Sequence, residues 1–99
     1  MALIEQGYTY TNLAANATTV IRTGKGKLHS ITINTAGASA NVCTVYDNTA
    51  ASGSKIATIN TVAAAPNLLY DVQFNTGLTV VIGTGTAADV TVSWTPVAG

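Results

Sequence analysis

Three observations predict an all-β fold, specifically a jelly-roll-like β-sandwich of seven to eight antiparallel strands. Apolar and polar residues alternate with period two in run after run, as in "ADVTVSWTPVA", where Val90, Val92 and Trp94 share one face and Thr91, Ser93 and Thr95 the other. Turn-forming clusters ("TGKGK", "NTAGASA", "DNTAASGS", "NTVAAAPN", "NTG", "GTGTAAD") separate the runs at short intervals. Helix-period patterning is hard to find, and Thr, Ala, Val, Gly and Asn dominate while Glu and Lys are scarce. Short strands at this spacing, without helices, make a sandwich or a barrel; Greek-key or jelly-roll connectivity fits eight strands best, with a closed barrel as the alternative.

The elements follow in order. Residues 7–11 set Tyr8 and Tyr10 against Thr9 and Thr11, an eighth strand beside seven others near 18–23, 26–35, 41–47, 55–61, 67–74, 77–83 and 89–97. "NLAANA" then reads as a loose link, so residues 1–17 form an N-terminal arm or first strand and residues 18–99 the β-sandwich domain. "KLHSITIN" changes parity midway, since Leu28 does not match Ile31 and Ile33. A β-bulge near His29–Ser30 resolves the conflict, and another near Ala57–Thr58 does the same for Ile56 and Ile59 in "SKIATINTV". "ANVCTVYDN" alternates, but either parity could face inward. "NLLYDVQFN" gathers Leu68, Tyr70, Val72 and Phe74 opposite Asp71 and Gln73, and "GLTVVIGTG" gathers Leu78, Val80 and Ile82. Asn34, Asn48, Asn60 and Asn75 each precede Thr where a strand pattern stops, as left-handed positions or Asx-turns would require.

The chain has 99 residues, about the commonest size for one domain, and 47% of them are hydrophobic, enough for a core. Only 8% are charged, against about 25% in an average soluble domain, and formal net charge is zero. A neutral, charge-poor exterior does little to keep copies apart and suits a surface covered by partners. It gives no electrostatic reason to seek nucleic acid or a membrane. One cysteine, Cys43, permits no intrachain disulfide, and the N-terminus has neither the basic region nor the apolar run of a signal peptide.

Each candidate for chemistry has a plainer reading. "VYDNTAASGSKIATI" places Asp47 and Asn48 in a polar patch, but it supplies one carboxylate and one amide where calcium needs several converging oxygens. A bend between two strands is the preferred reading. His29 is the single histidine; a zinc site or nucleophilic triad would have to form around it, and it shares no metal-ligand spacing with Cys43. Cys43 reads as a small buried hydrophobe or a free thiol. "RTGKGK" concentrates Arg22, Lys25 and Lys27, without the helix that must follow a phosphate loop. It reads as a hairpin tip with glycines at positive φ, or as a basic knob for an acidic partner surface. Tyr70, Phe74 and Trp94 share faces with core valines, leaving Tyr8, Tyr10 and Tyr46 as rings that could stack on sugars. Leu3, Ile4, Tyr8 and Tyr10 make the N-terminal segment apolar, which suits attachment to a neighbouring molecule. Asn16–Ala17–Thr18 fits a glycosylation sequon. No catalytic, cofactor or metal residue is expected. The partner interface is expected at Leu3, Ile4, Tyr8, Tyr10, Arg22, Lys25 and Lys27.

The combination of "VCTVYDNTAASGSKIATI" with "LLYDVQFNTGLTVVIGTGTAADVTVSW" resembles small β-sandwich virion proteins of tailed bacteriophages, of the capsid decoration or cement type. The likeness covers about residues 18–95 and rests on the "YDN" strand end, "FNTGLTV" and the closing "ADVTVSW". It implies a non-enzymatic protein, often a homotrimer, that binds the major capsid protein lattice on the virion surface after synthesis in the bacterial cytoplasm. Similar domains occur in tail and baseplate components. A carbohydrate-binding or adhesin module of a phage tail or cell surface is the alternative function.

Overall fold

The computed structural model describes residues 8–63 and 66–97. Eight antiparallel strands occupy them: β1 (Thr9–Leu13), β2 (Ala17–Thr23), β3 (Gly26–Thr35), β4 (Val42–Asp47), β5 (Ser54–Asn60), β6 (Asn67–Phe74), β7 (Gly77–Gly83) and β8 (Asp89–Pro96). They form two four-stranded sheets, ordered β1-β8-β3-β6 and β2-β7-β4-β5. The chain changes sheet at every connection except β4–β5, the winding of a jelly roll. The expected strands are present, with one displacement. β1 starts at Thr9 and runs on to Leu13, so Asn12 and Leu13 belong to it and not to a link. Leu13 packs against the core opposite Val90, which is why the strand continues that far.

The core lies between the sheets. Leu28, Ile31, Phe74, Val90 and Val92 enter from the first sheet, and Cys43, Val45, Leu78, Val80 and Ile82 from the second, all at most 2% exposed. This settles the parity of β4: Cys43 and Val45 face inward, Thr44 and Tyr46 outward. Phe74 is fully buried, while Tyr70 and Trp94 pack against the core's margin.

Bulges do what the parity changes demanded. Between Leu28 and Ser30 the register of β3 shifts against both neighbours, so Leu28 and Ile31 both point inward. In β5 the extra residue is Ile56, one position before the expected site. Ala57 pairs Val45 and Lys55 pairs Tyr46, which turns Ile56 in against the core's edge. Two further bulges, at Ile21 and Asn34, have no parity change in the sequence to announce them.

The asparagines act through their side chains and not through left-handed backbone, because the positive-φ non-glycine residues are Ser39, Ala40, Asp71 and Thr84. Asn60 Oδ1 accepts from Val62 N at 3.0 Å, an Asx-turn. Asn48 closes its loop by donating to Ser52 O at 2.8 Å. At the "TGKGK" tip only Gly24 has positive φ, 108°. Gly26 is a glycine for a different reason: a Cβ there would lie 2.3 Å from the Phe74 ring and 2.8 Å from Thr95 O.

Candidate functional site

The strand ends divide into two groups. One end of the sandwich carries the β2–β3, β4–β5 and β6–β7 connections and the start of β1; the other carries the β1–β2, β3–β4, β5–β6 and β7–β8 connections. Asp47 organises the first end. Its carboxylate accepts N–H bonds from Asn75, at 3.0 Å, and Thr76, at 2.8 Å, closing the β6–β7 turn. Gly24 N donates to Thr76 O at 3.0 Å, and Thr79 Oγ1 donates to Asn48 O at 2.7 Å, so all three connections are tied together. The polar patch is a bend, and its acid is a turn cap. Partial burial pushes the Asp47 carboxyl up, but the N–H groups of Thr76, Asn75 and Gly77 outweigh it and hold it below the usual carboxylate range.

A prediction follows from the sign of that shift. The unfolded carboxyl titrates near ~3.9, so the stabilising contribution is complete above about pH 4 and is lost as pH falls through the lower folded value. Urea midpoints of the wild type should be flat above pH 5 and drop below pH 4. Asp47→Asn should lower stability by about 1 kcal/mol at neutral pH and flatten that acid limb. An unchanged acid limb would show that the capping bonds contribute nothing. Asp89 shifts in the same direction, through hydrogen bonds from Asn12 and then Asn34, and adds to the residual slope.

His29 lies on the outer face of the first sheet, and β6 brings an acid to it. Its Nδ1 is 2.5 Å from Asp71 Oδ1, and Tyr8 stacks on the imidazole with ring centroids 4.3 Å apart and planes 12° from parallel. The β3 bulge sets this up. One residue of β3, His29, faces two of β6, Tyr70 and Asp71, and Asp71 takes a left-handed φ of 49° there. Asp tolerates that conformation better than most residues. The sequence reading had no partner for His29, because Asp71 is 42 residues away and the pairing needs the register. Among the described residues, no Ser or Cys side chain is hydrogen-bonded to the ring.

Cys43 is in the core of the other sheet, away from this cluster. Burial pushes its thiol up to about 11, so little thiolate is present at neutral pH. Alkylation by iodoacetamide at pH 7.5 should therefore proceed only as fast as the domain opens, and mild denaturant should accelerate it sharply. Among the described residues no three of His, Cys, Asp and Glu gather where a metal could bind.

Sequence reasoning missed Asn41, the most connected side chain at the second end. It is fully buried. Its Nδ2 donates to Asn16 Oδ1 at 3.0 Å, Gly83 O at 3.1 Å and Thr84 O at 2.8 Å. Its Oδ1 accepts from Thr61 Oγ1 at 2.7 Å and Ala88 N at 3.1 Å. Asn16, the asparagine of the sequon, is engaged in this cluster and also donates to Gly85 O at 2.8 Å.

The broad outer faces are nearly free of ions. Across the first sheet run the rows Tyr10–Ser93–Ser30–Leu69 and Asn12–Thr91–Thr32–Asn67. Across the second run Thr18–Val81–Thr44–Thr58 and Val20–Thr79–Tyr46–Lys55, with Thr79 itself fully buried against Asn48 O. Tyr10 is 71% and Leu69 69% exposed. Between the sheets, at the β5–β6 edge, a shallow groove of about 240 Å³ is lined by Ile59, Leu68 and Tyr70 among others. Burial, then the neighbouring Cys43, pushes the Tyr70 phenol up.

Of the expected interface residues, Tyr8 and Tyr10 lie on one outer face, and Arg22, Lys25 and Lys27 at the first end. Leu3 and Ile4 lie outside the described residues. No protein-family model matches the chain, and neither does any curated protein.

Proposed function

We propose that this chain is a non-enzymatic virion structural protein of a tailed bacteriophage, a capsid decoration protein that binds and stabilises the lattice of the major capsid protein as a homotrimer. The observation that carries this reading is the distribution of side chains over the jelly roll. Both broad faces present Thr, Ser, Asn, Val and Tyr in rows, with the His29–Asp71 pair as their one charged feature away from the ends, among the described residues. Such faces have little like-charge repulsion to oppose contact with identical neighbours. Exposed Tyr10, Leu69 and Val20 give them apolar area to bury. The likeness of "YDN", "FNTGLTV" and "ADVTVSW" to phage decoration proteins supplies the address. On a repeating shell, modest contacts add through multivalency.

The test is sedimentation of the purified protein together with mass spectrometry of particles from the phage that encodes it. A trimer in solution and a stoichiometric presence in particles are expected. A monomer missing from particles overturns the reading. Carbohydrate binding is a second reading favoured by one feature: Tyr8 is held flat on His29 beside exposed Tyr10. A glycan array signal lost on Tyr10→Ala would support it, and a silent array would exclude it.

A further inference from the structure

The register places every Lys and Arg of the chain at the same end of the sandwich. Arg22 is the last residue but one of β2, Lys25 lies in the β2–β3 turn, and Lys27 and Lys55 are the second residues of β3 and β5. β2 and β5 are opposite edges of one sheet, so these charges span its width, about 14 Å at ~4.8 Å per strand. The described carboxylates do not balance them locally. Asp71 is bound to His29 on the outer face, and Asp89 lies at the far end against Asn12 and Asn34. Asp47 is at the basic end, but its oxygens serve the β6–β7 turn. Among the described residues the one ion pair is His29–Asp71, so no described carboxylate pairs with a Lys or Arg. Among the described residues, positive charge is thereby gathered at one end.

The end is also rigid. Arg22 Nε donates to Lys25 O at 3.1 Å, and the guanidinium lies beside Gly24, which takes a positive φ of 108° in the turn. With Nε engaged, the terminal amino groups remain for a carboxylate. Val97 N also donates to Lys25 O, at 3.1 Å, and Asp47 and Thr76 brace the adjoining turns. Little side-chain and loop freedom is left to lose on docking.

We infer that this basic end is the docking end of the molecule and that its partner is a protein surface bearing clustered carboxylates. A protein is favoured over a nucleic acid because the chain has only four cations and zero formal net charge, where a nucleic-acid-binding domain is ordinarily strongly basic. End-on docking on a capsid rests on the assembly reading above and adds which surface makes the contact.

The test compares wild type with a Lys25→Gln, Lys27→Gln, Lys55→Gln triple variant. All three side chains are exposed, and an unchanged melting temperature would confirm that the variant folds. Three probes are used at 50 and 500 mM NaCl: immobilised poly-L-glutamate, immobilised duplex DNA and undecorated capsid shells of the encoding phage. Wild type should be retained on poly-L-glutamate at low salt, with about tenfold weaker retention for the variant or at high salt. DNA should retain neither protein. Shell binding that falls in parallel supports the docking end in its setting. Shell binding indifferent to salt and to the three lysines overturns the inference while leaving decoration intact. No shell binding, with poly-L-glutamate retention preserved, removes the capsid reading and keeps the acidic-protein site. Retention on DNA in preference to poly-L-glutamate overturns the choice of partner.

Discussion

Replacing Asn41 by alanine is expected to destabilise the domain by about 4 kcal/mol and lower its melting temperature by about 20 °C. The amide joins four separate segments: the β1–β2 turn through Asn16, the residue after β5 through Thr61, and the two ends of the β7–β8 connection through Gly83, Thr84 and Ala88. Alanine strips the buried Ala88 N–H of its partner and takes the amide donor from the part-buried Gly83 and Thr84 carbonyls. Thr61 suffers less, since its hydroxyl also reaches Asn41 O at 3.1 Å. Asn41→Asp should be comparably harmful, because it keeps the accepting oxygen, loses every donation and buries a charge. Equilibrium urea unfolding measures both. A cost below about 1 kcal/mol for Asn41→Ala would mean that water satisfies these groups as well as the amide does.

The second large effect concerns Gly26 and Phe74. Phe74→Ala should cost about 4 kcal/mol, since it empties a fully buried ring site. Gly26→Ala should cost about 3 kcal/mol, since its Cβ would meet both that ring and Thr95 O. The two are directly opposed across β3 and β6, so the costs will not add. In the Phe74→Ala background, Gly26→Ala should be milder by at least ~1 kcal/mol. Its residual penalty is then the approach to Thr95 O, which no change at position 74 relieves. Full additivity in a double-mutant cycle would show that the ring is not what excludes a side chain at position 26.

Much of this molecule could be read from its residues because half-buried strands write their pairing faces into the sequence. Val90, Val92 and Trp94, or Leu78, Val80 and Ile82, alternate without a break, and their burial matches. The break between Leu28 and Ile31 predicts a bulge because two inward residues three apart cannot share a face. The bulges at Ile21 and Asn34 leave no such mark, since the residues around them suit either orientation. Asn41 stands beside a strand like the other asparagines, and nothing local separates a turn former from a buried link between distant segments. The pairing of His29 with Asp71, and the gathering of Lys55 with Arg22, Lys25 and Lys27, depend on which strands lie side by side. Alternation fixes the faces of a strand but not its neighbours.

The order of strands in the first sheet also bears on how the molecule is made. β8, the last of the eight strands to be synthesised, is an inner strand held between β1 and β3. Until residues 89–96 emerge, β1 has no partner and Leu28 and Ile31 lack one wall of their enclosure. Nascent chains should therefore stay protease-sensitive until β8 has emerged and then close in a single late step, slowed by the long sequence separation of the strands being joined.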